Sequence, residues 1–122
     1  MKYKRIERTE LYFELAKVIS KRGTCPRLQV GVVFVRDGRV IASGYNGAPS
    51  GELHCTDNGC DIQEGHCQRA VHAEEAAICF SAKNGIRLQG AEAYVTHRPC
   101  DRCLRLMNQA GIIIARHREE YP

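Results

Sequence analysis

The chain has 122 residues, 43% of them hydrophobic and 26% charged, with seven cysteines and a formal net charge of +4. That is the composition of one globular domain with a real but modest core, so association of copies is expected to bury further surface. No stretch approaches the roughly 20 apolar residues of a membrane span, and the start Met1-Lys2-Tyr3-Lys4-Arg5 leads into an amphipathic pattern rather than a secretory core, so a cytoplasmic location is expected.

Residues 9–21 place Leu11, Leu15, Val18 and Ile19 at helical spacing, with Gly23 as a stop, and predict a first helix. Residues 30–35 and 39–43 are β-rich runs on either side of Arg36-Asp37-Gly38, whose Asp-Gly pair suits a tight hairpin turn between antiparallel strands. From 44 to 67 the chain is rich in Gly, Asn, Asp, Pro and Cys without hydrophobic periodicity. It reads as a long loop that needs a ligand or a metal to order it. Residues 70–83 are alanine-rich and helical, which puts His72 and Glu74 in a first turn, at the positive end of the helix dipole. A strand is predicted over 93–96. Pro99 stands where a helix can begin, and Leu104, Met107 and Ala110 continue that helix toward Gly111. Residues 112–115 then predict a buried strand. The alternation implies a single layered α/β domain over residues 1–122, without repeat or linker.

Two motifs carry chemistry: His72-Ala73-Glu74, and Pro99-Cys100-Asp101-Arg102-Cys103. An odd number of cysteines with C-x-x-C spacing and no secretory signal favours metal over a disulfide framework. One imidazole and two thiolates suit zinc and leave its fourth position to a water, whose pKa the metal lowers toward about 7. A closed structural zinc would need a fourth protein ligand and would leave Glu74 without a role. H-x-E followed by P-C-x-x-C is the signature of zinc-dependent nucleobase deaminases. Cytosine C4 is a poor electrophile, and hydrolysis there needs an activated water, protonation of ring N3 and protonation of the departing amine. Glu74 can serve all three by moving protons.

The chain resembles the deoxycytidylate (dCMP) deaminases and their late-competence relatives within the cytidine-deaminase-like superfamily. The resemblance runs over residues 9–115. It rests on Gly23-Thr24-Cys25-Pro26-Arg27, Gly44-Tyr45-Asn46-Gly47-Ala48-Pro49-Ser50-Gly51, His54-Cys55, Gly59-Cys60 and Cys67-Gln68-Arg69, together with the His72 segment and Tyr94-Val95-Thr96-His97 before Pro99. It implies a three-layer α/β/α fold with a central mixed sheet. The implied reaction is hydrolysis of dCMP to dUMP and ammonia, which supplies dUMP for dTMP synthesis. His72, Cys100 and Cys103 would hold zinc, and the Ala73 N–H would hold the pyrimidine 2-oxo group. Asn46 would meet sugar or base, Arg27 and Ser50 the 5′-phosphate, and Tyr121 would close over the nucleotide.

Some members carry a second, structural zinc in the loop region, for which Cys25, Cys55, Cys60 and Cys67 are the candidates. His54 as one ligand, or free buried thiols, are the other readings. Cys79 reads as a small core residue, His97 as a residue beside the metal or a satisfied loop histidine, and His66 as exposed. The resemblance also implies an oligomer, often hexameric, activated by dCTP and inhibited by dTTP with Mg2+. Two departures bear on this. Ala76 stands where relatives commonly have Asn, and many relatives continue with another helix and strand beyond residues 112–115. The +4 charge suits an anionic substrate, but zinc-bound thiolates would remove much of it, so nucleic acid is not an expected partner. A same-fold deaminase of a nucleoside, base or tRNA, and a non-catalytic zinc accessory protein in DNA uptake or nucleotide sensing, are the alternatives.

Overall fold

Gly31–Arg36 (β1) reads Gly-Val-Val-Phe-Val-Arg, and five of its six residues are buried, as a strand covered on both faces requires. The computed structural model describes residues 3–25, 27–47 and 71–121, and the backbone of 62–63 and 66–67. β1 turns through Asp37 (φ 53°) and Gly38 (φ 74°) into Arg39–Tyr45 (β2), the predicted hairpin, with a bulge at the Phe34/Val35 step. Only residues that tolerate positive φ at both central positions make this turn. The antiparallel neighbour of β1 on its other side is Glu92–His97 (β5), which pairs in parallel with Ile114–Glu119 (β6). The sheet order β2-β1-β5-β6 is therefore mixed.

Alternation along β1 divides the core. Val33 and Val35 face Tyr12, Phe13 and Ala16 of Arg8–Ser20 (α1), with Tyr94 from β5. Val32 and Phe34 face the opposite way, toward Ala73 and Ala77 of Ala73–Lys83 (α2) and Met107 of Asp101–Ala110 (α3). One helix on one face and two on the other make the expected three-layer α/β/α arrangement with a central mixed sheet. Among the described residues no helix is long and apolar enough to cross a membrane.

Three expectations need correction. The spacing that marks α1 only partly follows its buried face: Leu11, Leu15 and Val18 are exposed, Ile19 packs half-buried against the core, and Tyr12, Phe13 and Ala16 are buried. The reason lies in β1, where a Cβ on Gly31 would stand 2.1 Å from the Ala16 carbonyl oxygen. The absent side chain lets the Ala16 face of α1 rest directly on the sheet. The predicted buried strand over 112–115 is displaced. Gly111 (φ 104°) ends α3 in the left-handed region, and the Ile112 N–H returns to the Met107 carbonyl, so only Ile112 drops into the core. The strand itself begins at Ile114 and carries Arg116, His117, Arg118 and Glu119 along an exposed sheet edge. The loop predicted over 44–67 is also interrupted. β2 continues to Tyr45, and Ile62–Gln63 (β3) pairs antiparallel with His66–Cys67 (β4).

Candidate active site

Two helix starts converge at one end of the sheet. His72 precedes α2 in an extended conformation, fixed from behind by a two-way backbone bridge between Val71 and Gly47. Cys100 holds the equivalent position before α3, and Cys103 lies one turn in, fully buried. The His72 Nδ1 stands 3.3 Å from the Cys103 Sγ and 3.7 Å from the Cys100 Sγ, and the three donor atoms lie within 4.8 Å of one another. A tetrahedral zinc with ordinary Zn–N and Zn–S bonds separates N from S by about 3.6 Å, so the observed spans bracket the expected one. Burial, with the charges of Glu74 and Cys100 beside it, pushes the Cys103 thiol well up. Two cysteine sulfurs and an imidazole nitrogen this close together suit a bound cation, which would hold the sulfurs as thiolates. The donor set fits zinc.

Glu74, in the first turn of α2, is 4% exposed. Burial raises its carboxyl from 4.5 to about 7, against the lowering effect of a backbone hydrogen bond and with a smaller rise from Glu75. A carboxyl balanced near neutral pH can both accept and return a proton. α2 carries this pair into place because a Cβ on Gly44 of β2 would stand 2.4 Å from the Ala73 carbonyl oxygen and 2.8 Å from the Ala77 nitrogen. The helix start rests on bare backbone.

The pocket in front of this cluster brings together most of the residues picked from sequence: Cys25, Arg27, Asn46, Ala73 and Tyr121 line it with His72, Glu74 and Cys100. Asn46, besides lining the pocket, has a local structural role. Its Oδ1 accepts the Val30 N–H at 2.8 Å and its Nδ2 donates to the Leu28 carbonyl at 2.7 Å, so the side chain braces residues 28–30 as a wall. Leu28 and Val30 line the pocket through that brace, Arg98 lines it from the end of β5, and none of the three was singled out from sequence. Their apolar or solvated character gives no chemical signal; only the chain path brings them there.

His97 is also in the wall. The Gly31 N–H donates to Thr96 Oγ1 at 3.1 Å, and Thr96 shares a proton with His97 Nδ1 at 2.8 Å. On its other side the His97 Nε2 stands 3.4 Å from Glu119. Cys79, expected in the core, is exposed. The buried side of α2 is Ala73, Glu74, Ala77 and Ser81, and Cys79 falls off it.

Among the described residues, His72, Cys100 and Cys103 are the one group of this kind. Cys25 is buried and unpaired as a disulfide. Ser50, His54, Cys55, Cys60 and the side chains of His66 and Cys67 lie outside the described residues.

The family described as the cytidine and deoxycytidylate deaminase zinc-binding region matches residues 6–115. ComE operon protein 2 of Bacillus subtilis is 44% identical over 117 residues, covering 96% of this chain, which spans 62% of that relative's length. The deoxycytidylate deaminase of Mycobacterium phage D29 is 36% identical over 114 residues, 84% of this chain and 88% of the relative. The crystal structure of the dCMP deaminase of cyanophage S-TIM5 in complex with dCMP and dUMP superposes with a TM-score of 0.84 at 33% identity, covering 98% of this chain and 86% of that one.

Proposed function

The chain belongs to the cytidine and deoxycytidylate deaminase zinc-binding family, and from that premise we propose that it hydrolyses dCMP to dUMP and ammonia. The observation that carries the reading is the meeting of His72, Cys100 and the buried Glu74 in one pocket, with Cys103 completing the donor set behind its wall. Zinc, when held there, supplies a Lewis acid that brings the pKa of a water toward about 7.

The chain's own groups do the rest. Glu74 takes a proton from the attacking water, gives it to ring N3, and returns a second proton to the exocyclic amine, which leaves as ammonia while C4 becomes a carbonyl. The Ala73 N–H, at a helix start, holds the 2-oxo group and fixes the ring edge toward Glu74. Leu28 and Val30, braced by Asn46, form an apolar wall beside the base. Arg27 offers a guanidinium to the 5′-phosphate, for which Ser50 is the second candidate donor, and Tyr121 covers the nucleotide. A second zinc on Cys25, Cys55, Cys60 and Cys67 belongs to the same reading. So do oligomerisation and control by dCTP, dTTP and Mg2+.

The deciding assay is ammonia release from dCMP, deoxycytidine, CMP and cytosine by the purified chain, with zinc content measured on the same sample. Turnover of dCMP above the other three, lost in Glu74→Ala with zinc retained, supports the proposal. Preference for deoxycytidine, or turnover of none, refutes it. A second reading, a zinc protein without turnover, is favoured by the 44% identity to ComE operon protein 2, whose name states no reaction. It predicts that Glu74→Ala leaves the biological activity intact.

A further inference from the structure

The three donors at the metal centre come from two separate elements, and a slip of one helix start against the other would change the span between imidazole and thiolates directly. Glu75 bridges those two elements. Its Oε1 accepts the backbone N–H of His72 at 3.0 Å, and its Oε2 meets the Arg102 Nη2 at 2.8 Å. The first contact fixes the residue that supplies the imidazole. The second reaches across from α2 to α3, to a residue that stands between Cys100 and Cys103 in the chain.

We propose that Glu75 and Arg102 are a positioning pair that locks the start of α2 to the start of α3 and so sets the spacing of the His72, Cys100 and Cys103 donors. The proposal rests on the zinc reading of that site. The two arms differ in strength. Glu75 is 16% exposed and its bond to the His72 N–H is charge-assisted, whereas Arg102 is 70% exposed and screened by solvent. The larger effect therefore belongs to Glu75. Outer partners of metal ligands typically change metal affinity by about 10- to 100-fold, because they hold the ligands in orientation without touching the ion.

The test measures the zinc dissociation constant of the full chain by competition with a chromophoric chelator, so no substrate enters it. Glu75→Ala, which removes both arms, weakens zinc by about 10- to 100-fold. Glu75→Gln keeps an acceptor for the His72 N–H but loses the charge facing Arg102. It and Arg102→Ala each weaken zinc about two- to fivefold, the scale of a screened pair. The double variant is no weaker than either single one, since both remove the same interaction, and Arg102→Lys restores most of the affinity. Cobalt loaded in place of zinc reports the donor geometry through its visible absorption bands, which shift in Glu75→Ala. Unchanged affinity in Arg102→Ala, or losses in the double variant that multiply, overturns the proposal. So does a fall in melting temperature that is equal with and without metal, because that marks a merely structural pair. A parent chain that binds no zinc refutes the metal reading itself, and the positioning proposal falls with it; loss of dCMP turnover alone touches neither.

Discussion

Gly44→Ala isolates the step from packing to site. The added Cβ would stand 2.4 Å from the Ala73 carbonyl oxygen, 2.8 Å from the Ala77 nitrogen and 3.1 Å from the Ala77 Cβ. An ordinary close carbon–oxygen contact is about 3.3 Å, so α2 and β2 must part by roughly 0.9 Å where α2 begins. Overpacking of this kind costs about 1–3 kcal/mol, equivalent to a fall of several degrees in melting temperature for a chain of this size. The displaced turn carries His72 and Glu74, and a misplacement near 1 Å can cost about 100-fold in rate. The expected result is a melting temperature lowered by about 5–10 °C, with zinc affinity and ammonia release both reduced more than tenfold. Gly85→Ala is the control. Gly85 has φ +67° with open space around it, so that substitution strains the backbone by about 1–2 kcal/mol without touching the site. Zinc affinity within threefold of the parent in Gly44→Ala, with stability no lower than in Gly85→Ala, would refute the reasoning. It would show that the edge strand β2 yields and α2 stays.

Removing zinc with a strong chelator should lower the melting temperature of the parent chain, and Cys103→Ser should remove that difference, since a donor with 0% exposure has no substitute nearby. In the metal-free protein the folded Glu74 binds its proton more tightly than the unfolded one, with a folded pKa of about 7 against 4.5. Its contribution is thus most favourable below pH 4.5 and is lost as pH rises through 7, by up to roughly 3 kcal/mol. Urea titrations of metal-free parent and Glu74→Gln from pH 5 to 8 should converge at the acid end and separate at the alkaline end; parallel curves would refute the assignment. Asn46→Ala leaves the Val30 N–H and the Leu28 carbonyl without their partner, at a cost of about 1–3 kcal/mol. If the brace shapes the base wall, KM for dCMP rises more than kcat falls, which steady-state kinetics will show.

The proposed chemistry was legible because it needs particular atoms at particular intervals. His72, Glu74, Cys100 and Cys103 could be read from two short motifs, and the Asp37-Gly38 turn from the one residue pair that suits its φ values. The helical and β-rich periods located α1, β1, β2, α2, β5 and α3 to within a few residues. What the pattern missed has a common cause. α1 carries two apolar stripes, and the choice between Leu11-Leu15-Val18 and Tyr12-Phe13-Ala16 was made by Gly31, fifteen residues beyond Ala16. The last strand was expected to be buried because Ile112, Ile113 and Ile114 are apolar, yet a left-handed Gly111 sends only Ile112 inward.

The sequence by itself determined the donor types of the candidate metal site, their order, the carboxylate proposed for acid–base work and the class of fold, because those follow from composition, spacing and local backbone preference. Tertiary structure alone decided that Asn46 braces the pocket wall, that Cys79 faces outward, that Leu28, Val30 and Arg98 border the site, and that Glu75 reaches Arg102. Each of these depends on how closely two distant backbones approach. Missing side chains set two of those approaches, α1 on β1 at Gly31 and α2 on β2 at Gly44, and no local pattern records them.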